Sequence, residues 1–193
     1  MKRWDNLNHA FEYLKRYING KPRETRFKVS EIDLALVSNF KGGNASVVEP
    51  VDRLTLKLVS YGDVLGTLAG TIDGKPLRSF VDTGELAGQA TAFLRLTKVR
   101  DTAIAGFGAS YASALLAAYF PETLPVLDRR VLSGARIDHA RNSQGQVLEI
   151  EKHYPELIAR FHAEMLRRPN LRLRDLDREW FSIGNNESQL KSE

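Results

Sequence analysis

The sequence predicts an all-α fold of about eight helices, and three observations carry that prediction. Apolar residues recur every three or four positions through most of the chain. Glycine, proline and asparagine punctuate these stretches where helices would stop. No two segments alternate apolar and polar residues around a tight turn, as a pair of strands requires. The length of 193 residues suits one domain or two small lobes and can bury a large core.

Residues 4–18 place Leu7, Phe11, Leu14 and Ile18 on one helical face, and Asn19-Gly20-Lys21-Pro22 ends that helix. Ser30 reads as the N-cap of a second helix containing Ile32, Leu34, Ala35 and Val37. Lys41-Gly42-Gly43-Asn44 is a turn. Residues 50–60 fit two patterns. RLTLKLV alternates like a strand, whereas Val51, Leu54, Leu58 and Val59 fit a helix, and the helical neighbours favour the latter. Residues 61–95, with Gly62, Gly66, Gly70, Gly74, Gly84 and Gly88, are expected to be the least regular part. Within them lie a turn at 73–76 and a helix over 83–96 that buries Leu86, Ala90, Phe93 and Leu94. A short helix is expected over 98–105, then a helix of small residues over 109–119, then another short helix in RRVLSGA after Asp128. Val147, Ile150, Tyr154, Leu157, Ile158, Phe161 and Met165 form the stripe of a long helix over 146–167, which Pro169 ends. A last short helix over 174–183 precedes a polar tail, NNESQLKSE, expected to fray.

Composition removes several function classes. The chain has no cysteine, which excludes disulfides, thiolate zinc sites, cysteine-ligated iron–sulfur clusters and cysteine nucleophiles, and makes a reducing cytosol the simplest compartment. The charged N-terminal stretch does not read as a signal peptide, and the apolar runs are far shorter than a bilayer span. His9, His139, His153 and His162 lack metal-site spacing, and no Walker lysine or Ser-His-Asp elbow is present. A net charge of +4 and a pI near 9.4 favour a polyanionic partner such as nucleic acid, but equally suit a basic protein with none. Arg167, Arg168, Arg172, Arg174 and Arg178, interleaved with Leu171, Leu173 and Leu176, either meet phosphates or form the outer face of the last helices.

The stretch AGFGASYASALLAAYFPETLPVLDRRV, residues 105–131, is the most informative. Gly106 and Gly108 flank one aromatic before a helix rich in alanine. Two such glycines make a tight connection; they also permit close approach of another molecule to the free amides of a helix start, where anions bind. Asp128 closes an apolar run and precedes a helix, which is the position of an N-cap. Arg129 and Arg130 follow it directly, and Lys98 and Arg100 precede the hairpin. One of the two arginines would face a phosphate and the other hold Asp128 ionised, or both are solvated on a turn. Phe40, Tyr61, Phe107, Trp180 and Phe181 are candidates for an aromatic pocket or for the core.

I-A-G-F-G-A-S-Y-A at 104–112 and L-P-V-L-D-R-R-V at 124–131 resemble the helix-hairpin-helix motif of the HhH-GPD DNA glycosylase superfamily. The resemblance is specific over about 98–134; NFKGGN at 39–44 and RDLDREWFSIG at 174–184 resemble uncharacterised relatives more loosely. The chain departs from the pattern at Tyr111, where a small residue is usual, and ARIDHARNSQGQ does not follow the iron–sulfur members.

The resemblance implies two helical lobes around a cleft, one from roughly 46–134 and the other from 1–45 with 135–185. It implies that Gly106, Gly108 and the amide of Ser110 bind a backbone phosphate of double-stranded DNA, together with a monovalent cation on main-chain carbonyls. Lys98, Arg129 and Arg130 are then further phosphate ligands. Asp128 would cap its helix and face the glycosidic bond of an everted nucleotide, stabilising an oxocarbenium-like sugar or activating water. Bifunctional members carry a lysine where this chain has Ser110, and Ala109 and Tyr111 do not supply one. The expectation is therefore a monofunctional N-glycosylase of base excision repair, monomeric, cytoplasmic and nucleoid-associated, with no iron–sulfur cluster and no metal ligands. The alternative is a nucleic-acid-binding protein of the same motif without catalysis.

Overall fold

A computed structural model describes residues 2–43 and 47–190. Among these residues there are eight α-helices and no strand, only isolated bridges between Ile104 and Phe107 and between Arg141 and Val147. Helix α1 spans Lys2–Asn19, α2 Glu31–Phe40, α3 Val51–Ile72 and α4 Gly84–Arg95. Helix α5 spans Ala109–Tyr119, α6 Arg129–Gly134, α7 Tyr154–Arg167 and α8 Leu173–Leu190. The turn at 41–44 and the expected lobe boundary at 46 fall partly on residues 44–46, which lie outside the described residues, as does the tail over 191–193.

Helix α5 is the central element. Its alanines leave no wide side chain on any face, so residues 112–118 are all buried. It packs against α1, α2 and α4. A polar cluster ties α1 and α2 to it. Asp33, fully buried, closes the capping box of α2 by accepting from the Ser30 amide at 2.8 Å. The Lys21 ammonium donates to Asp33 at 2.6 Å, to the Tyr119 hydroxyl at 2.7 Å and to the Lys28 carbonyl at 2.8 Å. The buried carboxylate is thus fully compensated.

Helices α6 and α8 meet backbone to backbone. A methyl group on Gly134 would lie 2.0 Å from the Trp180 carbonyl oxygen, and one on Gly184 would lie 2.0 Å from that of Arg130. Both positions therefore exclude any side chain.

Four expectations are corrected. Residues 61–72, read as irregular, continue α3: burial of Tyr61, Leu65, Leu68 and Ile72 outweighs the cost of its glycines. Gly62 has a packing reason, because a methyl there would stand 3.1 Å from the Phe27 carbonyl oxygen. Residues 98–105 form turns and not a helix. Thr97 donates to the Leu94 carbonyl at 2.7 Å and Thr102 to that of Leu96 at 2.8 Å, which competes with helical bonding. The long helix begins at Tyr154 and not at 146. Glu149 is left-handed with φ 46°, which separates the 142–147 turn from a short 3-10 turn at Ile150–His153. Helix α8 does not stop at 183, because Gly184 and Asn185 are held against Arg130.

Candidate functional site

The segment 124–128 is extended and clamped from three sides. The Ser110 hydroxyl donates to the Leu127 carbonyl at 2.8 Å, and the Leu127 amide donates to the Ser113 hydroxyl at 2.9 Å. The buried Tyr154 hydroxyl donates to the Pro125 carbonyl at 2.8 Å. Ser110 thus spends its side chain on positioning the residue before Asp128.

Asp128 is the N-cap of α6, accepting from the Arg130 amide at 2.9 Å through Oδ1. Its other oxygen, Oδ2, accepts from the Lys41 ammonium at 2.8 Å. The two side chains are 19 % and 12 % exposed, so the pair is sheltered but open on one side. Burial works against ionisation of Asp128, but Lys41, its hydrogen bond and the Arg130 amide outweigh it and bring the carboxyl down to about 2.

That open side is a cleft of about 500 Å³. Helix α1 supplies Trp4 and Leu7, the end of α2 supplies Phe40 and Lys41, and α8 supplies Arg174, Asp177 and Phe181. Trp4 and Phe181 lie with ring centroids 5.3 Å apart. The Arg174 guanidinium sits 4.4 Å from both the Trp4 and the Phe11 ring centroids and pairs with Asp177. Asp177 is 2 % exposed. Burial pushes its carboxyl up to about 6, against the pull of Arg174 and with the added repulsion of Asp128. Asp177 Oδ1 and Arg174 Nε and Nη2 are buried with no hydrogen-bond partner.

The hairpin 104–108 precedes α5. Gly106 has φ 87°, a left-handed conformation that glycine adopts freely. Gly108, the N-cap of α5, is extended, and a methyl added to it would touch nothing within 4 Å. Nothing inside the chain requires glycine there. Helix α3 braces the hairpin: the Lys57 ammonium donates to the Ala103 carbonyl at 2.6 Å and pairs with Glu49 at 2.7 Å. The Ile104 carbonyl accepts from the Phe107 amide at 3.0 Å. Neither of these carbonyls is therefore an open ligand for a monovalent cation. Among the described residues, no group of three or more histidine, aspartate or glutamate side chains stands together to hold a metal ion. No helix among them is long and apolar enough to cross a membrane.

Asp128 lines the cleft, and so does Arg130, but both arginines after it have partners within the chain. Arg129 donates to the Gly145 carbonyl at 2.7 Å. Arg130 donates to Asn185 at 3.1 Å and lies 5.1 Å from the Phe181 ring centroid. Lys98 is exposed, 3.8 Å from Glu151. Of the five candidate aromatics, Phe40 and Phe181 line the cleft. Tyr61 and Phe107 pack edge to face in the core, 5.8 Å apart, and Trp180 packs on Phe161 at 4.5 Å. Sequence reasoning missed Trp4, Lys41 and Asp177 as site residues. Lys41 gave no signal beyond its place in a turn 87 residues before Asp128. No family model, curated protein or solved structure matches this chain.

Proposed function

We propose that the protein is a DNA N-glycosylase that removes a damaged, modified or mispaired base in base excision repair. The observation that carries this reading is a sheltered, ionised carboxylate, Asp128, set in an aromatic-walled cleft and flanked in sequence by a glycine hairpin. Hydrolysis of a glycosidic bond builds positive charge on the sugar, and a fixed carboxylate stabilises it. A carboxyl at about 2 is a weak base, so electrostatic stabilisation suits Asp128 better than proton abstraction. Phe40, Trp4 and Phe181 would stack a flipped base, and Arg174 and Asp177 offer unpaired donors and an acceptor beside it. The open N-cap at Gly108 would admit a phosphate oxygen to the first amides of α5.

A second reading, a nucleic-acid-binding protein without catalysis, is favoured by one observation. Both oxygens of Asp128 are already engaged, one by the cap and one by Lys41. Excision separates the two. Duplexes carrying uracil, hypoxanthine, 8-oxoguanine, 3-methyladenine or adenine opposite 8-oxoguanine are incubated with the protein, then heated in alkali to cut abasic sites. Wild type is expected to cut at least one of them. Asp128→Asn is expected to lose excision by roughly 100-fold or more while binding DNA with little change. Excision at the wild-type rate in Asp128→Asn would remove Asp128 from the mechanism.

A further inference from the structure

Removal of a base leaves a deoxyribose whose C1′ opens to an aldehyde, and primary amines condense with aldehydes. The position that would carry a lysine by resemblance holds Ser110, and its hydroxyl is committed to the Leu127 carbonyl. An amine nevertheless reaches the same place from elsewhere in the chain. Lys41, at the C-cap of α2, brings Nζ to 2.8 Å from Asp128 Oδ2. It is the one lysine among the described residues that line the cleft. Its hydrogen bonds within the chain leave its remaining two protons without a named acceptor, and an ammonium carries three.

We propose that this cleft has a second activity, cleavage of the DNA strand at abasic sites, with Lys41 as the amine that forms the imine. The proposal rests on the glycosylase reading for the origin of its substrate. The proton balance closes within the cleft. The base needs a proton to leave as a neutral molecule, and the Lys41 ammonium beside the glycosidic bond supplies it, becoming a free amine. Water adds to C1′ and its spare proton passes to solvent. The ring opens as the C1′–O4′ bond breaks, and O4′ keeps a proton as a hydroxyl. The amine then adds to C1′, water leaves, and a protonated imine remains. The Asp128 carboxylate, held ionised beside it, stabilises that positive charge in place of the ammonium it faced before. The imine acidifies the C2′ hydrogens. Loss of one of them to water breaks the C3′–O bond, and the 3′ phosphate departs with the strand. Hydrolysis of the imine returns the lysine.

The test uses the whole chain and a duplex with one preformed abasic site, so it does not depend on which base is removed. Sodium borohydride reduces an imine to a stable amine, and a denaturing gel then reads a covalent protein–DNA adduct. Wild type is expected to give the adduct, with peptide mapping placing it on Lys41. Lys41→Arg keeps a cation beside Asp128 and a melting temperature near that of wild type, and is expected to lose the adduct. Lys98→Arg, a distant surface change, is expected to keep it. No adduct from wild type, an undiminished adduct from Lys41→Arg, or an adduct mapped to another amine would each overturn the proposal. The excision panel is run beside it. Base excision without a borohydride adduct overturns strand cleavage through Lys41 and leaves the glycosylase reading standing. A Lys41 adduct without excision of any base supports the amine and counts against the glycosylase.

Discussion

At the scale of single residues, two carboxylates in one cleft are pushed in opposite directions. Asp128 is held down at about 2 by Lys41 and its cap, whereas burial raises Asp177 to about 6. The sign of the consequence for stability follows. A carboxyl raised on folding contributes most below its ordinary value of 3.8 and loses that contribution as the pH rises through about 6. Arg174, Asp128 and Lys41 are the charged groups that set this balance. The interval corresponds to ~3 kcal/mol. The unfolding free energy of wild type minus that of Asp177→Asn is therefore expected to fall by up to ~3 kcal/mol between pH 4 and pH 7. Urea unfolding of both proteins at several pH values checks it, and a flat difference would show that Arg174 keeps Asp177 ionised throughout. Asp128 was legible as a cap, because capping is a local rule. Its partner Lys41 was not, because 87 residues separate the two and no local rule spans that distance.

At the scale of elements, the pairing of α6 with α8 sets the cleft wall. Gly134 and Gly184 are the contact points, and a methyl on either would overlap a carbonyl at 2.0 Å. Gly184→Ala is expected to destabilise the protein by ~2 kcal/mol or more, since neither backbone can move without the other. Gly66→Ala, where a methyl meets nothing, serves as the control and is expected to stabilise slightly. Chemical denaturation of the pair tests both. The helices whose apolar face repeats every three to four residues were legible: α1, α2, α4 and α7 carry their cores as their sequences indicate. The irregularity expected over 61–72 was misleading because glycine has two causes in a helix, a break and a close approach. Only the tertiary neighbours of Gly62 distinguish them. Residues 98–105 misled in the other direction, since threonine hydroxyls turned a helical pattern into successive turns.

At the scale of the whole molecule, a net charge of +4 is modest, so DNA affinity is expected to depend on where the cations stand. Arg129 and Arg130 are partnered within the chain, which leaves phosphate contacts to the helix amides near Gly108 and to exposed lysines such as Lys98. Binding to a nonspecific duplex is expected to weaken with salt, with a log–log slope of roughly −3, at about −0.9 per phosphate neutralised. Fluorescence anisotropy across a salt series measures it; a slope near zero would argue against a DNA surface. The hairpin and Asp128 could be read as candidates from one stretch of sequence. The cleft could not, because α1, α2, the 126–131 segment and α8 each supply a wall from distant parts of the chain. This arrangement has a consequence for synthesis on the ribosome. Trp4, Phe40 and Lys41 emerge early, but Arg174, Asp177 and Phe181 arrive on α8, after all seven other helices. Until α8 docks its glycine against Arg130, a nascent chain presents half a cleft with an unshielded Lys41–Asp128 pair, so any chemistry of this site starts only after translation has passed it.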